Sequence, residues 1–155
     1  MTTRLIGLIS DTHGLLRPAA IAAFQGVERI IHAGDIDTPG VLQALRTLAP
    51  VTAVRGNVDR GPWASDLPAT AALTIDQVSV YVLHNLHDLA LVPEAAGFRV
   101  VVSGHSHRPA IRERNGVLYV NPGSAGPRRF RAAVSVALME VQGTLVHARL
   151  VPLER

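Results

Sequence analysis

Three short apolar runs, separated by two stretches of helical spacing, most constrain how this chain folds. The runs are Arg4–Ser10, Arg29–Ala33 and Val51–Val54. Between the first two, Pro18–Phe24 reads as a short helix with proline near its start. Between the second and third, Val41–Leu48 has helical spacing and comes after Thr38-Pro39, a capping residue with proline at the first helical position. This β-α-β-α-β order argues for a parallel sheet with right-handed crossovers. The second half differs. Ala69–Ile75 and Val78–His84 flank Asp76-Gln77, Ile111–Arg114 and Val117–Val120 flank Asn115-Gly116, and Ala132–Val141 and Leu145–Val151 flank Gln142-Gly143. Each pair reads as a hairpin, Asn-Gly being the strongest turn signal. Val100–Ser103 reads as a short buried strand and Asp88–Ala96 as a helix. The expectation is one α/β domain over residues 1–155, with a parallel half and a mostly antiparallel half.

Composition narrows the chemistry. With 48% apolar and 17% charged residues, the chain has the make-up of a globular domain and not of a disordered one. It contains no cysteine. Disulfides, thiolate zinc sites and cysteine nucleophiles are excluded together, and any metal must be held by oxygen and imidazole donors. Every basic side chain other than histidine is arginine, and the net charge is only +3. That balance does not call for a nucleic-acid partner, and it suits small phosphate anions. The N-terminal apolar run is too short for a signal peptide, and no segment has the length of a membrane span. A soluble, cytoplasmic protein without a membrane partner is expected.

The polar residues that succeed each apolar run are more specific. The first run leads into Ser10-Asp11-Thr12-His13-Gly14, the second into Gly34-Asp35, the third into Gly56-Asn57-Val58-Asp59. The Val78–Leu83 run ends at His84, and Val100–Val102 leads into Gly104-His105-Ser106-His107. Taken singly, each has an ordinary explanation: aspartate after a strand is usually a turn or a helix cap. Together they deliver two aspartates, an asparagine and four histidines to the carboxyl ends of strands, where open α/β sheets bind ligands. Unpaired carboxylates and imidazoles gathered out of water would cost stability, so the clustering suggests bound cations. Two divalent ions about 3.5–4 Å apart clamp the attacking and departing oxygens of a displacement at phosphorus. Asp35, ending a central strand, is placed to bridge them.

The ordered motifs D-x-H, G-D, G-N-x-D, a strand-end histidine and G-H-x-H resemble the calcineurin-like metallophosphoesterase superfamily. Asn121-Pro122-Gly123-Ser124 with Pro127-Arg128 resembles its small single-domain phosphodiesterase branch. The resemblance implies a four-layer α/β/β/α sandwich of two mixed sheets flanked by helices, without a cap domain. It assigns Asp11, His13, Asp35 and His107 to one metal, and Asp35, Asn57, His84 and His105 to the other. It also implies hydrolysis of phosphodiesters through attack of a metal-bridging hydroxide on phosphorus, with Asp35, Asn57 and His84 at the reacting centre. Mn²⁺ is the first choice the family implies, with Fe, Co, Ni or Zn also compatible with such donors. The small subunit of the retromer coat resembles the same branch and serves as a scaffold, which makes a binding module the alternative. A small phosphoester is the expected partner; self-association is open, because exposed edge strands invite it.

Two positions depart from the pattern. Members of the superfamily often carry histidine, or in small members cysteine, directly after the asparagine, whereas this chain has Val58. His84 is followed by Asn85 where the family usually has glycine; asparagine tolerates positive φ, so the turn is expected to survive. Asp59 is expected to orient the Asn57 turn and not to bind metal. His32 is read as a packed or supporting residue and His147 as a surface or core histidine. His87 is a candidate substrate contact or replacement acid, against its simpler reading as an exposed loop residue. Among Arg108, Arg112, Arg114, Arg128, Arg129 and Arg131, mostly read as solvated, Arg128 is the candidate phosphate contact.

Overall fold

The three N-terminal apolar runs form β1 (Arg4–Ile9), β2 (Arg29–His32) and β3 (Val51–Ala53), joined by α1 (Pro18–Ala23) and α2 (Pro39–Arg46). β1 pairs with β2, and β2 with β3, in parallel. The structure, a computed structural model, describes residues 2–128 and 133–153. Both helices begin at proline, whose fixed φ and missing N–H suit a first turn. Thr38 takes the N-cap position of α2, but its side chain makes no capping hydrogen bond.

The remaining strands are β4 (Thr70–Ile75), β5 (Val78–Leu83), β6 (Val100–Val102), β7 (Ala110–Arg114), β8 (Val117–Asn121), β9 (Ser135–Gln142) and β10 (Leu145–Pro152). One sheet has the order β10-β9-β1-β2-β3 and the other β4-β5-β6-β8-β7. Both are mixed. The expected division into a parallel and an antiparallel half therefore holds only in part, because β5, β6 and β8 are parallel neighbours. Hairpin periodicity reports the pair joined by a turn; it does not report which strand of each pair meets another element. The third hairpin forms at β9 and β10, while Ala132, its expected first residue, lies outside the described residues.

The helix expected over Asp88–Ala96 does not form. Pro93 has no N–H and pushes Val92 out of the helical region, to φ −98° and ψ 104°. The segment divides into a 3₁₀ turn at Leu86–Asp88 and the single turn α3 (Pro93–Ala96), which Gly97 ends at φ 86°.

The sheets stack on an aliphatic layer. Along β1, Ile6 and Leu8 face this layer with Ile31, Val80, Val82, Val100, Val102 and Met139. The alternate residue Ile9 packs on the other side, with Phe24, Ile30, Leu42 and Leu45 beneath the two longer helices. Full burial of each such Leu, Ile or Phe is worth roughly 1.5–3 kcal/mol. A smaller group, Leu83, Val101 and Val117 with Tyr81, Leu89 and Tyr119, occupies the outer face of the second sheet. The four-layer α/β/β/α arrangement is thus present, with its last layer reduced to short turns.

Gly7 marks a close approach in this packing. A Cβ there would lie 2.8 Å from two Phe24 ring carbons, and Phe24 is fully buried with nowhere to retreat. Gly7→Ala is expected to lower stability by about 1–3 kcal/mol, measured by urea unfolding, with metal uptake unchanged.

Candidate metal centre

The carboxyl ends of five parallel strands converge. Asp11 and His13 come after β1, Asp35 after β2, Asn57 after β3, His84 after β5, and His105 and His107 after β6. Asp11, His13 and His107 each offer a ligand atom within 4.8 Å of the others, and Asp35, His84 and His105 form a second such group. His13 Nε2 lies 3.3 Å from His107 Nε2, and Asp11 Oδ1 lies 3.4 Å from His107 Nε2. Asp35 Oδ2 touches both groups, 3.7 Å from His13 Nε2 and 3.2 Å from His84 Nε2. Donors that share an ion at about 2.0–2.2 Å must themselves sit roughly 3–3.5 Å apart, so these spacings suit common coordination. Asp11 Oδ1 is buried and accepts no hydrogen bond, although it faces three imidazole Nε2 atoms at 3.4–4.0 Å. A buried carboxylate oxygen left in this way is costly unless a cation completes it. The donor set therefore fits a divalent metal.

The backbone is bent to make this convergence. Asp11, His13, Asp35, His105 and His107 all have φ between 47° and 72°. Such left-handed geometry costs non-glycine residues of order 1–3 kcal/mol each and persists where surrounding contacts enforce it. Asp and His tolerate it better than most.

Those contacts are identifiable. Asp59, after β3, accepts hydrogen bonds from the backbone N–H groups of Asp35, Ile36, Asp37 and Gly56 at 2.8–3.0 Å. Its bond to Gly56 N–H holds the Asn57 turn, as expected, and its other three bonds tie the loop after β2 to the loop after β3, which was not expected. Val58 N–H donates to Asp35 Oδ1 at 3.1 Å. Ser10 Oγ and His105 N–H both donate to Asp11 Oδ2, at 2.9 and 3.0 Å. Gly56 is needed for proximity, since a Cβ there would overlap the Asp35 backbone nitrogen and Oδ1. Gly104 is needed for the same reason against Ser10 Oγ.

The hydrogen-bond partners fix the tautomers. His84 Nδ1–H donates to the Ala33 carbonyl at 2.8 Å, so in the neutral ring Nε2 carries the lone pair turned towards Asp35 and Asn57, and in the protonated ring Nε2–H donates to Asp35 Oδ2 at 3.2 Å. The Asn57 amide reaches His84 Nε2 at 3.0 Å. With its nitrogen turned to Asp35 it donates to both carboxylate oxygens at 3.3 Å; a cation between them would draw the amide oxygen instead. His32 is fully buried and packed behind the site, as expected. Its Nδ1 accepts from Gly34 N–H at 3.1 Å, so Nε2–H donates to Thr12 Oγ1 at 3.1 Å. Burial, followed by the neighbouring His84, pushes its pKa down to about 3, which keeps it neutral.

Burial pushes the Asp11 carboxyl up to about 6, against the opposing pull of His84 and the Ser10 hydroxyl. Asp35 is also desolvated, but its hydrogen bond to His84 and that residue's charge hold its pKa below the ordinary value. The same pair raises His84, against its burial.

Other expected residues fall elsewhere. Asn85 has φ −113° and caps the 3₁₀ turn at Leu86–Asp88 by accepting from His87 N–H at 3.1 Å, so no positive φ is required after His84. His87 is exposed beside His105 in a hollow next to the site. Arg128 lines a different hollow with Arg17, Val134 and Leu153. His147 is exposed on β10. Arg129 and Arg131 lie outside the described residues. Sequence reasoning assigns no part to Ser10 or to Asn121. Asn121 donates through Nδ2 to the Gly104 carbonyl at 3.0 Å and to Ser106 Oγ at 3.1 Å, and so secures the His105 turn. Their sequence signs are their places in the motifs, Ser10 directly after β1 and Asn121 as the last residue of β8.

Residues 5–144 match the calcineurin-like phosphoesterase superfamily domain. The chain belongs to this superfamily. It is 35% identical to the "Probable metallophosphoesterase" of Methanothermobacter thermautotrophicus, over 95% of this chain and 91% of that protein. It is 30% identical to a phosphodiesterase of Methanocaldococcus jannaschii, over 76% of this chain and 82% of that one. Vacuolar protein sorting 29 from Cryptosporidium parvum superposes with a TM-score of 0.86 at 20% identity, covering 99% of this chain and 93% of that one, a likeness of fold. Phosphoester hydrolysis is the activity class in the family's name, and the strand-end cluster offers two groups of donors that could hold a metal ion.

Two outcomes test this centre. Asp59→Asn replaces one acceptor oxygen with a donor facing backbone N–H groups, and is expected to cost about 2–4 kcal/mol and to weaken metal binding at least about tenfold, read by urea unfolding and titration calorimetry. The second concerns pH after treatment with a chelator. The raised Asp11 pKa means that the folded state binds more protons between about pH 4 and 6, so stability falls as pH rises through that window. The raised His84 adds stability that is present below its ordinary value of 6.5 and lost as pH rises through its folded value. His32 acts the other way, because it stays neutral in the fold while the unfolded chain takes up a proton below 6.5. Mn²⁺ added to chelator-treated protein is expected to raise the melting temperature more at pH 8 than at pH 5, where protons compete for the ligands.

Proposed function

We propose that the chain is a phosphodiesterase working with two divalent ions. The supporting observation is Asp35, whose Oδ2 sits between the two ligand groups, 3.7 Å from one imidazole and 3.2 Å from the other. Asp11, His13, Asp35 and His107 would hold one ion, and Asp35, Asn57, His84 and His105 the other. When bound, the ions would supply Lewis acidity and an activated water at neutral pH; with oxygen and imidazole donors, Mn²⁺ is the first candidate.

The protein groups organise the rest. Asn57 and His105 are the exposed members of the cluster, so a phosphoester approaches from their side. Asp59 and the Val58 N–H keep Asp35 in its left-handed geometry. The Val58 side chain, however, cannot deliver a proton where family members carry histidine or cysteine. A positioned general acid is typically worth 10²–10⁴-fold, and without one at that position the leaving oxygen must depart largely as an anion. Good leaving groups, hence aryl esters, are favoured.

Metal-loaded protein is accordingly expected to hydrolyse bis(p-nitrophenyl) phosphate at least about 10²-fold faster than a simple alkyl monoester. Equal rates on both would overturn the argument from Val58. The alternative, a scaffold or binding module, is favoured by the likeness to a sorting protein; it would show as two bound metals with no turnover of any phosphoester.

A further inference from the structure

Two hollows open beside His105 and share it, together with Asn85, as part of their walls. One, of about 390 Å³, contains Asn57 and His84 and carries charge of both signs, Arg55 and Asp88. The other, of about 310 Å³, reaches outward along β7 and β8 and is lined by His87, Arg108, Arg112, Tyr119 and Asn121 with no acidic residue. Both volumes lie in the range of small-molecule pockets.

The arginines of the second hollow differ from others on the surface. Arg4 is held by Asp76 and Glu28, and Arg99 by Glu113. Among the described residues, neither Arg108 nor Arg112 is engaged by a carboxylate. Glu113 adjoins Arg112 in sequence, but strand alternation turns it to the opposite face, where it meets Arg99. Arg112 stands directly across from Tyr119 in the β7–β8 ladder, and both line the hollow, the ring half-buried. Guanidinium forks that share a hollow with an aromatic side chain suit a phosphate joined to a ring, by bidentate hydrogen bonds and by stacking.

We propose that this hollow receives one arm of the substrate, and that the arm carries a second phosphate next to a planar ring, as in a nucleotide. The assignment rests on the phosphodiesterase reading. The scissile phosphorus sits at Asp35, His84 and His105, and the arm crosses His105 to reach Arg108 and Arg112. The preferred substrates are phosphodiesters with a distal phosphate, and simple diesters are poor mimics of them.

The test compares the p-nitrophenyl ester of thymidine 5′-phosphate with the same ester bearing a phosphate on its 3′ oxygen. In metal-loaded wild type the distal phosphate is expected to raise kcat/KM by roughly 10–100-fold, mainly through KM. The gain should disappear in Arg108→Gln/Arg112→Gln, while turnover of bis(p-nitrophenyl) phosphate and the melting temperature stay unchanged. Arg4→Gln, which removes a distant charge, should keep the preference. Calorimetry with thymidine 3′,5′-bisphosphate and thymidine 5′-monophosphate provides a readout independent of turnover, with the bisphosphate expected to bind tighter only while the two arginines are present. Equal use and equal binding of the paired compounds by wild type, or a preference that survives in the double variant, would overturn the proposal and leave the hydrolase reading intact. Absence of turnover on every ester, with the binding difference retained, would overturn the hydrolase reading and uphold the hollow as a phosphate site.

Discussion

The site depends on a single carboxylate whose oxygens are turned to backbone N–H groups. Asp59 gathers four backbone N–H groups from two loops at 2.8–3.0 Å. Its acceptor capacity is fully used, and hydrogen bonds to an ionised group are the stronger kind. Because the loops after β2 and β3 are locked together, Asp35 can remain left-handed and Gly56 can lie against it without a side chain between them. The position of Asp35 between the two ligand groups is a consequence of that lock.

The centre is therefore assembled against local preference. Five candidate ligands occupy left-handed backbone geometry, and two carboxylates, Asp11 and Asp35, are almost wholly out of water. The favourable contributions lie elsewhere, in the aliphatic layer between the sheets and in the apolar layer under α1 and α2. Strain and charge concentrate at the carboxyl ends of parallel strands, where backbone groups leave the ladder and side chains from separate strands can meet. Cations that would compensate the carboxylates would also connect stability to function in one place.

On the proposed reading, chemical selectivity is divided between two features next to the cluster. Val58 contributes a backbone N–H to Asp35 but no proton donor, so the nature of the leaving group carries more of the rate. The arginine-lined hollow beyond His105 acts on the other end of a substrate, where binding and not proton transfer is at stake. The two are independent, because one concerns the bond that breaks and the other a group remote from it.

Much of this was legible in the sequence. The β-α-β-α-β order, the hairpins, and the residues delivered to strand ends are local properties: apolar periodicity, proline placement and turn chemistry report them directly. The resemblance then proposed a ligand set, six members of which the fold gathers into two groups, since five short motifs in order carry more information than any one. Pro93 should have ended the helix expected over residues 88–96, and its meaning was available locally. What only the tertiary structure decided involves groups far apart in the chain. Residues 11 and 107 share a pocket only after β1 and β6 stack, and Asp59 is a lock only because the loop after β2 lies over it. Arg112 and Arg128 are the same residue type on similar stretches of sequence, yet one borders the hollow beside His105 and the other faces away with Arg17. Periodicity determines which way a strand's side chains face; only the packing of one sheet on the other determines what they meet.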